Sequence, residues 1–139
     1  GIGSHRHNPE IDQMIKRFAN VKSSFDFTPH LSPMFRGILS TIYVDLKKGV
    51  TKNKLNFELK KYFKNEMFVK ISKLDTFLST NDVINSNNCI ISVCGSKYNN
   101  KAIILSAIDN LIKGGGGQAV QNMNIRYKFK ESEGLNGKI

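Results

Sequence analysis

Ile11, Met14, Ile15 and Phe18 recur at helical spacing and form one apolar stripe, which predicts an amphipathic helix with that stripe against a core. Asn8 suits the N-cap, Pro9 the first helical position and Glu10 the positive end of the helix dipole. The expected helix therefore runs from Pro9 to about Asn20, and His5, Arg6 and His7 lie on the loop that enters it, where the first free backbone N–H groups point. A polar break follows over residues 22–24. "FDFTPHLSPMF" then alternates only briefly, and Pro29 and Pro33 remove two donors from any ladder, so this stretch reads as irregular and extended. "RGILSTIYVDL", residues 36–46, lacks the polar alternation that keeps one face wet, which predicts a long central strand.

Thr51 can cap a second helix whose buried stripe would be Leu55, Leu59, Tyr62 and Phe63, ending near Asn65. "MFVKI" reads as a short strand, and a polar, Asn-rich connection follows over residues 73–88. "CIISVCG" and "KAIILSAI" are two apolar strands separated by "SKYNN", the spacing of a hairpin with a longer loop. "KGGGGQAVQNMNI" sets four glycines before a helix whose apolar residues are Ala119, Val120, Met123 and Ile125, and the polar tail beyond Lys130 is expected to fray. The strands are not each followed by a crossover helix. The expected class is thus α+β, a mixed or mainly antiparallel sheet with helices on one face.

At 139 residues the chain has room for one core. No apolar run reaches a membrane span and no signal-peptide order opens the sequence, so the expected compartment is the cytoplasm, with no membrane partner. Cys89 and Cys94 are the only two cysteines; no four-ligand zinc set or disulfide framework is available, and buried free thiols are expected. The net charge of +10 and pI near 9.7 raise the alternative of a basic nucleic-acid-binding module. Against it, the basic residues are mostly Lys and are scattered rather than clustered, whereas Arg is the usual choice for bidentate contacts. No nucleic-acid partner is expected.

Three groups could carry chemistry. His5, Arg6 and His7 could form part of a metal site, but a third ligand is missing, so no metal is expected. They could be plain solvent-facing loop residues, or act in general acid/base catalysis with a guanidinium holding an anion nearby. Gly114, Gly115, Gly116 and Gly117 permit close backbone approach to a ligand ahead of a helix N-terminus, or form a simple hinge; neither a GxGxxG nor a GK[ST] pattern accompanies them. A lone His30 between prolines and a lone Arg36 at a strand start are each ordinarily structural.

Taken together, "HRHNPEI", "FTPHLSPMFRGIL" and "SAIDNLIKGGGGQAVQNMN" resemble, in order and spacing, the C-terminal half of N-acetyl-gamma-glutamyl-phosphate reductases, with "LKKYFKNEMFVKI" and "VINSNNCIISV" between them. The resemblance implies a catalytic and dimerisation domain like that of the phosphorylating, glyceraldehyde-3-phosphate dehydrogenase-like aldehyde dehydrogenases. It divides the chain into a substrate-binding and dimerisation domain over residues 1–117 and a terminal helix and tail over residues 118–139, the latter packing on a Rossmann domain that this sequence lacks. The family's "NPGCY"-type segment with its nucleophilic cysteine is also absent. Cys89 matches a strand position in "SNxC" that is not the nucleophile, and Cys94 has no catalytic counterpart.

In that family a thiolate attacks the acyl phosphate of N-acetyl-gamma-glutamyl phosphate and NADPH supplies hydride. The resemblance implies that His5 or His7 is the acid/base group, with His5 preferred because His7 adjoins the helix start. It implies that Arg36, with Arg6, contacts substrate, and that Gly114, Gly115 and Gln118 approach the nicotinamide end of NADP. It further implies a homo-oligomer, and a chain inactive by itself. Two departures bear on structure: the family usually has small alanines or serines between its glycines, so an all-glycine run should be more mobile, at up to about 1 kcal/mol per residue; and Asn85 replaces a glycine, which suits a left-handed residue.

Overall fold

The computed structural model describes residues 4–19 and 24–135. It divides into two compact units, Gly1–Met34 and Phe35–Ile139, each taken by itself below.

In the first unit, helix α1 spans Asn8–Ala19. It starts one residue earlier than its sequence signals suggest, because the His7 carbonyl accepts the first helical bond from the Ile11 N–H at 3.0 Å, which puts His7 at the N-cap. The Asn8 side chain does not cap; its Oδ1 is buried and unpartnered. The expected end at Asn20 and the polar break at Lys22 lie outside the described residues. None of the described residues of α1 is buried, and Phe18 is 72% exposed. The stripe exists as a pattern, and among the described residues of its unit it is not buried. Residues 24–34 are irregular and extended, as their prolines require.

The second unit is built on four strands, β1 (Ile38–Asp45), β2 (Val69–Ile71), β3 (Cys89–Gly95) and β4 (Lys101–Ile108), in the order β1-β4-β3-β2. β4 pairs antiparallel with both β1 and β3, and β2 pairs parallel with β3. The sheet is mixed and the class α+β, as the pattern predicts. The predicted hairpin is present as β3 and β4. The expected central strand is corrected: among the described residues β1 pairs with β4 alone, so it forms the edge, and Ile38, Leu39, Ile42 and Tyr43 are exposed. Apolar residues on both faces of β1 do mark a strand meant to be covered.

Ser92 and Val93 are both fully buried, and because successive side chains of a strand point to opposite faces, β3 is covered on both sides at that point. Helix α2, Lys52–Tyr62, packs on β2 and β3. Its N-cap is Thr51, whose Oγ1 accepts the Lys54 N–H at 3.2 Å. Its expected stripe is corrected in part: Leu55, Leu59 and Phe63 are half-buried, Tyr62 is exposed, and the buried residue is Asn56, which donates to the Ser72 carbonyl. A capped 3-10 turn at Thr80–Asp82 interrupts the polar connection.

The apolar core proper is small: Phe68, Val83, Val93, Ala102 and Ala107. Beyond β4 a π-helical turn, Ile112–Gly116, runs into helix α3, Gly117–Arg126. Two corrections belong here. α3 buries Gly117, Gln121 and Asn124 while Met123 and Ile125 are exposed, the reverse of its apolar pattern. The tail is also held rather than frayed as far as Leu135: Asn124 Nδ2 donates to the carbonyls of Glu131 and Glu133, and Ser132 is buried. No described helix is long and apolar enough to cross a membrane.

Candidate functional site

The first unit holds one cluster. The imidazoles of His5 and His7 meet edge to face at 4.8 Å between centroids, and His5 meets Phe27 in the same way at 5.4 Å. The His7 backbone N–H donates to His5 Nδ1 at 3.3 Å. A ring nitrogen that accepts carries no proton, so neutral His5 presents N–H at Nε2. His7 gives its carbonyl to the helix and is exposed, as are Arg6 and His30.

The second unit holds the other group. Asp109 directly follows β4, and its side chain is fully buried while that of Arg36 is 16% exposed. Arg36 Nη2 donates to Oδ1 at 2.8 Å and lies 2.7 Å from Oδ2 as an ion pair. Oδ1 also accepts the backbone N–H groups of Leu111 and Ile112 at 2.9 and 3.1 Å, and Oδ2 that of Asn85 at 2.9 Å. Burial pushes the Asp109 carboxyl up, but Arg36 and these three N–H groups outweigh it and hold the group below the usual carboxylate range. One residue on, Asn110 Oδ1 accepts the Gly37 N–H at 2.6 Å. Asp109 and Asn110 thus clasp Arg36 and Gly37, beside the Ile38 to Ile108 end of the ladder.

The glycine run begins just past this clasp. The N–H groups of Gly114 and Gly116 reach back five residues, to the carbonyls of Asp109 and Leu111 at 3.0 and 3.1 Å, and the backbone leaves helical geometry at Gly115 (φ −149°, ψ −115°). Gly114, Gly115 and Gly116 are exposed. A Cβ at any of the three would meet nothing nearer than 3.5 Å, so their backbone is open to close approach. Gly117 differs: its Cβ would lie 2.5 Å from Asn87 Oδ1 and 2.9 Å from the Ile112 carbonyl oxygen. Gln118 Nε2 donates to Asn122 Oδ1 one turn along α3.

Below the turn lies a polar network that pattern reading missed. Gln121 Oε1 accepts Asn87 Nδ2 at 2.9 Å and Lys113 Nζ at 2.7 Å, and Gln121 Nε2 donates to Glu131 Oε1 at 2.7 Å. Burial pushes the Lys113 ammonium down, against the opposite pull of Cys89, Glu131 and Glu66. The two thiols are half-buried rather than buried, Cys89 Sγ lying 3.5 Å from Ser106 Oγ. Among the described residues no group of three His, Cys, Asp or Glu is placed to hold a metal ion.

The family description "Semialdehyde dehydrogenase, dimerisation domain" matches residues 1–110. The chain belongs to that family, which is one of oxidoreductases. It is 48% identical over 135 residues to the N-acetyl-gamma-glutamyl-phosphate reductase of Clostridium botulinum. It is 47% identical over 135 residues to that of Staphylococcus aureus strain USA300, and 46% identical over 134 residues to that of Staphylococcus saprophyticus. The C. botulinum match covers 97% of this chain and 39% of the relative, in the relatives' C-terminal part. Within this semialdehyde dehydrogenase dimerisation domain, the structure groups His5 with His7, and Arg36 with the segment that leads into Gly114. Asp109 and Asn110 went unread as site residues. The signal for Asp109 was a single carboxylate closing the apolar strand "KAIILSAI", where an acid needs a partner to be buried.

Proposed function

We propose that this chain is the substrate-side part of an NADPH-dependent N-acetyl-gamma-glutamyl-phosphate reductase, which converts N-acetyl-gamma-glutamyl phosphate to N-acetylglutamate semialdehyde in arginine biosynthesis. The observation that carries the reading is 48% identity over nearly the whole chain to a reductase of that name. The open glycine turn and the oriented arginine support it.

In this reading His5 or His7 is the acid/base group. As an acid either histidine acts in its imidazolium form, which gives a proton to an oxygen and returns to neutral imidazole, and the half-buried His5 and exposed His7 can reach a partner surface. Arg36 contacts the substrate carboxylate or phosphate: its Nη2 is committed to Asp109 and its Nε is buried, which leaves Nη1 for the substrate, and the buried carboxylate fixes the plane of the guanidinium. Arg6 assists from the exposed loop. NADPH, when bound, supplies the hydride. Gly114 and Gly115 offer backbone to its nicotinamide end and Gln118 a side-chain amide, while other domains hold most of the cofactor.

The nucleophilic cysteine comes from an N-terminal, dinucleotide-binding part, so this chain is inactive by itself. Residues 1–117 form the substrate-binding and self-association domain. Residues 118–139 pack on the dinucleotide-binding part, which would cover Met123 and Ile125. The assembly is a homo-oligomer acting in the cytoplasm on a small-molecule substrate, with no nucleic acid or membrane partner.

The test is phosphate-dependent reduction of NADP by N-acetylglutamate semialdehyde, run on this chain alone and after mixing with a separately made N-terminal part. Silence alone and turnover on mixing are expected. Turnover by the chain alone would hand the nucleophile to Cys89 or Cys94, and silence in both would remove the reductase reading.

A further inference from the structure

Arg36 and Asp109 lie 73 residues apart in sequence, and Asp109 also takes two local backbone N–H groups. What joins them is one buried carboxylate with four hydrogen bonds and an ion-pair contact from four residues: Arg36 two residues before β1, the left-handed residue Asn85, and the successive N–H groups of Leu111 and Ile112. The last two lead directly into the glycine turn, whose first backward bond, from Gly114, ends on the Asp109 carbonyl. The same residue thus holds the turn through its main chain and its side chain.

A buried carboxylate with all of its partners has little freedom, because moving any one of them exposes a charge in a poorly solvated site. Displacement of Arg36 is therefore coupled to displacement of the turn. The Gly37 N–H on Asn110 Oδ1 repeats the tie one residue along and keeps Arg36 from swinging on a free backbone.

We infer that Asp109 is a positioning residue, whose single carboxylate sets both the guanidinium of Arg36 on the substrate side and the glycine turn on the dinucleotide side. This rests on the reductase reading for what the two sides bind, and on geometry alone for their coupling. An anionic substrate drawing on Nη1 of Arg36 then acts on an arginine that is already aimed, with the turn already placed.

Two measurements test it, both on the chain joined to its N-terminal part. Hydrogen–deuterium exchange over residues 109–117 needs no turnover. Arg36→Gln should speed exchange at Leu111 and Ile112 about tenfold, and Arg36→Lys, which keeps a cation on the carboxylate, should restore most of the protection. Unchanged exchange in Arg36→Gln would overturn the coupling, even if every variant of Asp109 failed to fold. In steady-state kinetics Asp109→Asn should raise KM for both the acyl phosphate and the dinucleotide about tenfold, and Arg36→Gln mainly that for the acyl phosphate. A folded Asp109→Asn protein with both KM values unchanged would reduce Asp109 to a structural acid. An inactive unsubstituted protein would sink the reductase reading, while the exchange experiment would still decide the coupling.

Discussion

Asn85 holds φ at 60° and gives its N–H to Asp109, so the backbone is kept in the left-handed region by a buried acceptor. Asn tolerates that region better than residues with branched or purely apolar side chains. Asn85→Ala should therefore lose about 1–2 kcal/mol, and Asn85→Gly should fall within a few tenths of the parent; thermal melts of both decide it. Gly37 is more tightly bound to its identity: its φ is +109° and a Cβ would lie 2.6 Å from Thr80 Cβ. Gly37→Ala should cost about 2 kcal/mol or more. Gly116 has helical dihedrals (φ −58°, ψ −40°) and an open flank, so Gly116→Ala should stabilise the chain by about 0.4–1 kcal/mol through its unfolded state. Urea titrations of the two variants should shift in opposite directions.

At the scale of the element, α3 shows why an apolar pattern can point the wrong way. Its inner face carries Gln121 and Asn124, because the carbonyls and charges it meets, Asn87, Lys113 and Glu131, are themselves polar. Gln121→Leu would keep the volume and orphan several of these groups at about 1–3 kcal/mol each; it should be among the most destabilising substitutions in the helix, whereas Met123→Gln should change little in this chain. A melt in which Met123→Gln is the worse of the two would refute that face assignment. α1 and β1 are legible as elements for the same reason that their surroundings are not. Spacing at period 3.6, or an apolar run without polar alternation, records that a surface is to be covered and leaves open whether the same chain does the covering.

For the whole molecule, charge and exposed apolar surface set two expectations. The carboxyl groups of Asp109 and Asp75 are both held below their ordinary value of 3.8. For Asp75 the cause is the Lys52 hydrogen bond first and then the Gly95 N–H. A group whose folded pKa is depressed stabilises the native state fully above its unfolded pKa and loses that contribution as pH falls through the folded one. Stability should be flat from pH 7 to about pH 5 and fall below about pH 4, and Asp109→Asn should flatten that fall while lowering the plateau. A profile as steep in Asp109→Asn as in the parent would contradict the assignment. The exposed Ile38, Leu39, Ile42 and Tyr43 of β1 fit a self-association surface. Ile42→Lys should shift sedimentation toward monomer with little change in the thermal midpoint; unaltered association would place the interface elsewhere.

Element types, their order, the β3 and β4 hairpin and the Thr51 cap were all readable from residues, since each depends on local dihedral preference or short-range periodicity, whereas the left-handed Asn85 followed from the family resemblance. The clustering of His5 and His7 was readable for the same reason, being two residues apart. Tertiary structure alone decided that β1 is an edge, that α3 turns a polar face inward, and that Asp109 joins Arg36 to the glycine turn. Those facts depend on which segments far apart in sequence meet, and on where a buried charge finds its partners. Neither is encoded in any single stretch of the chain.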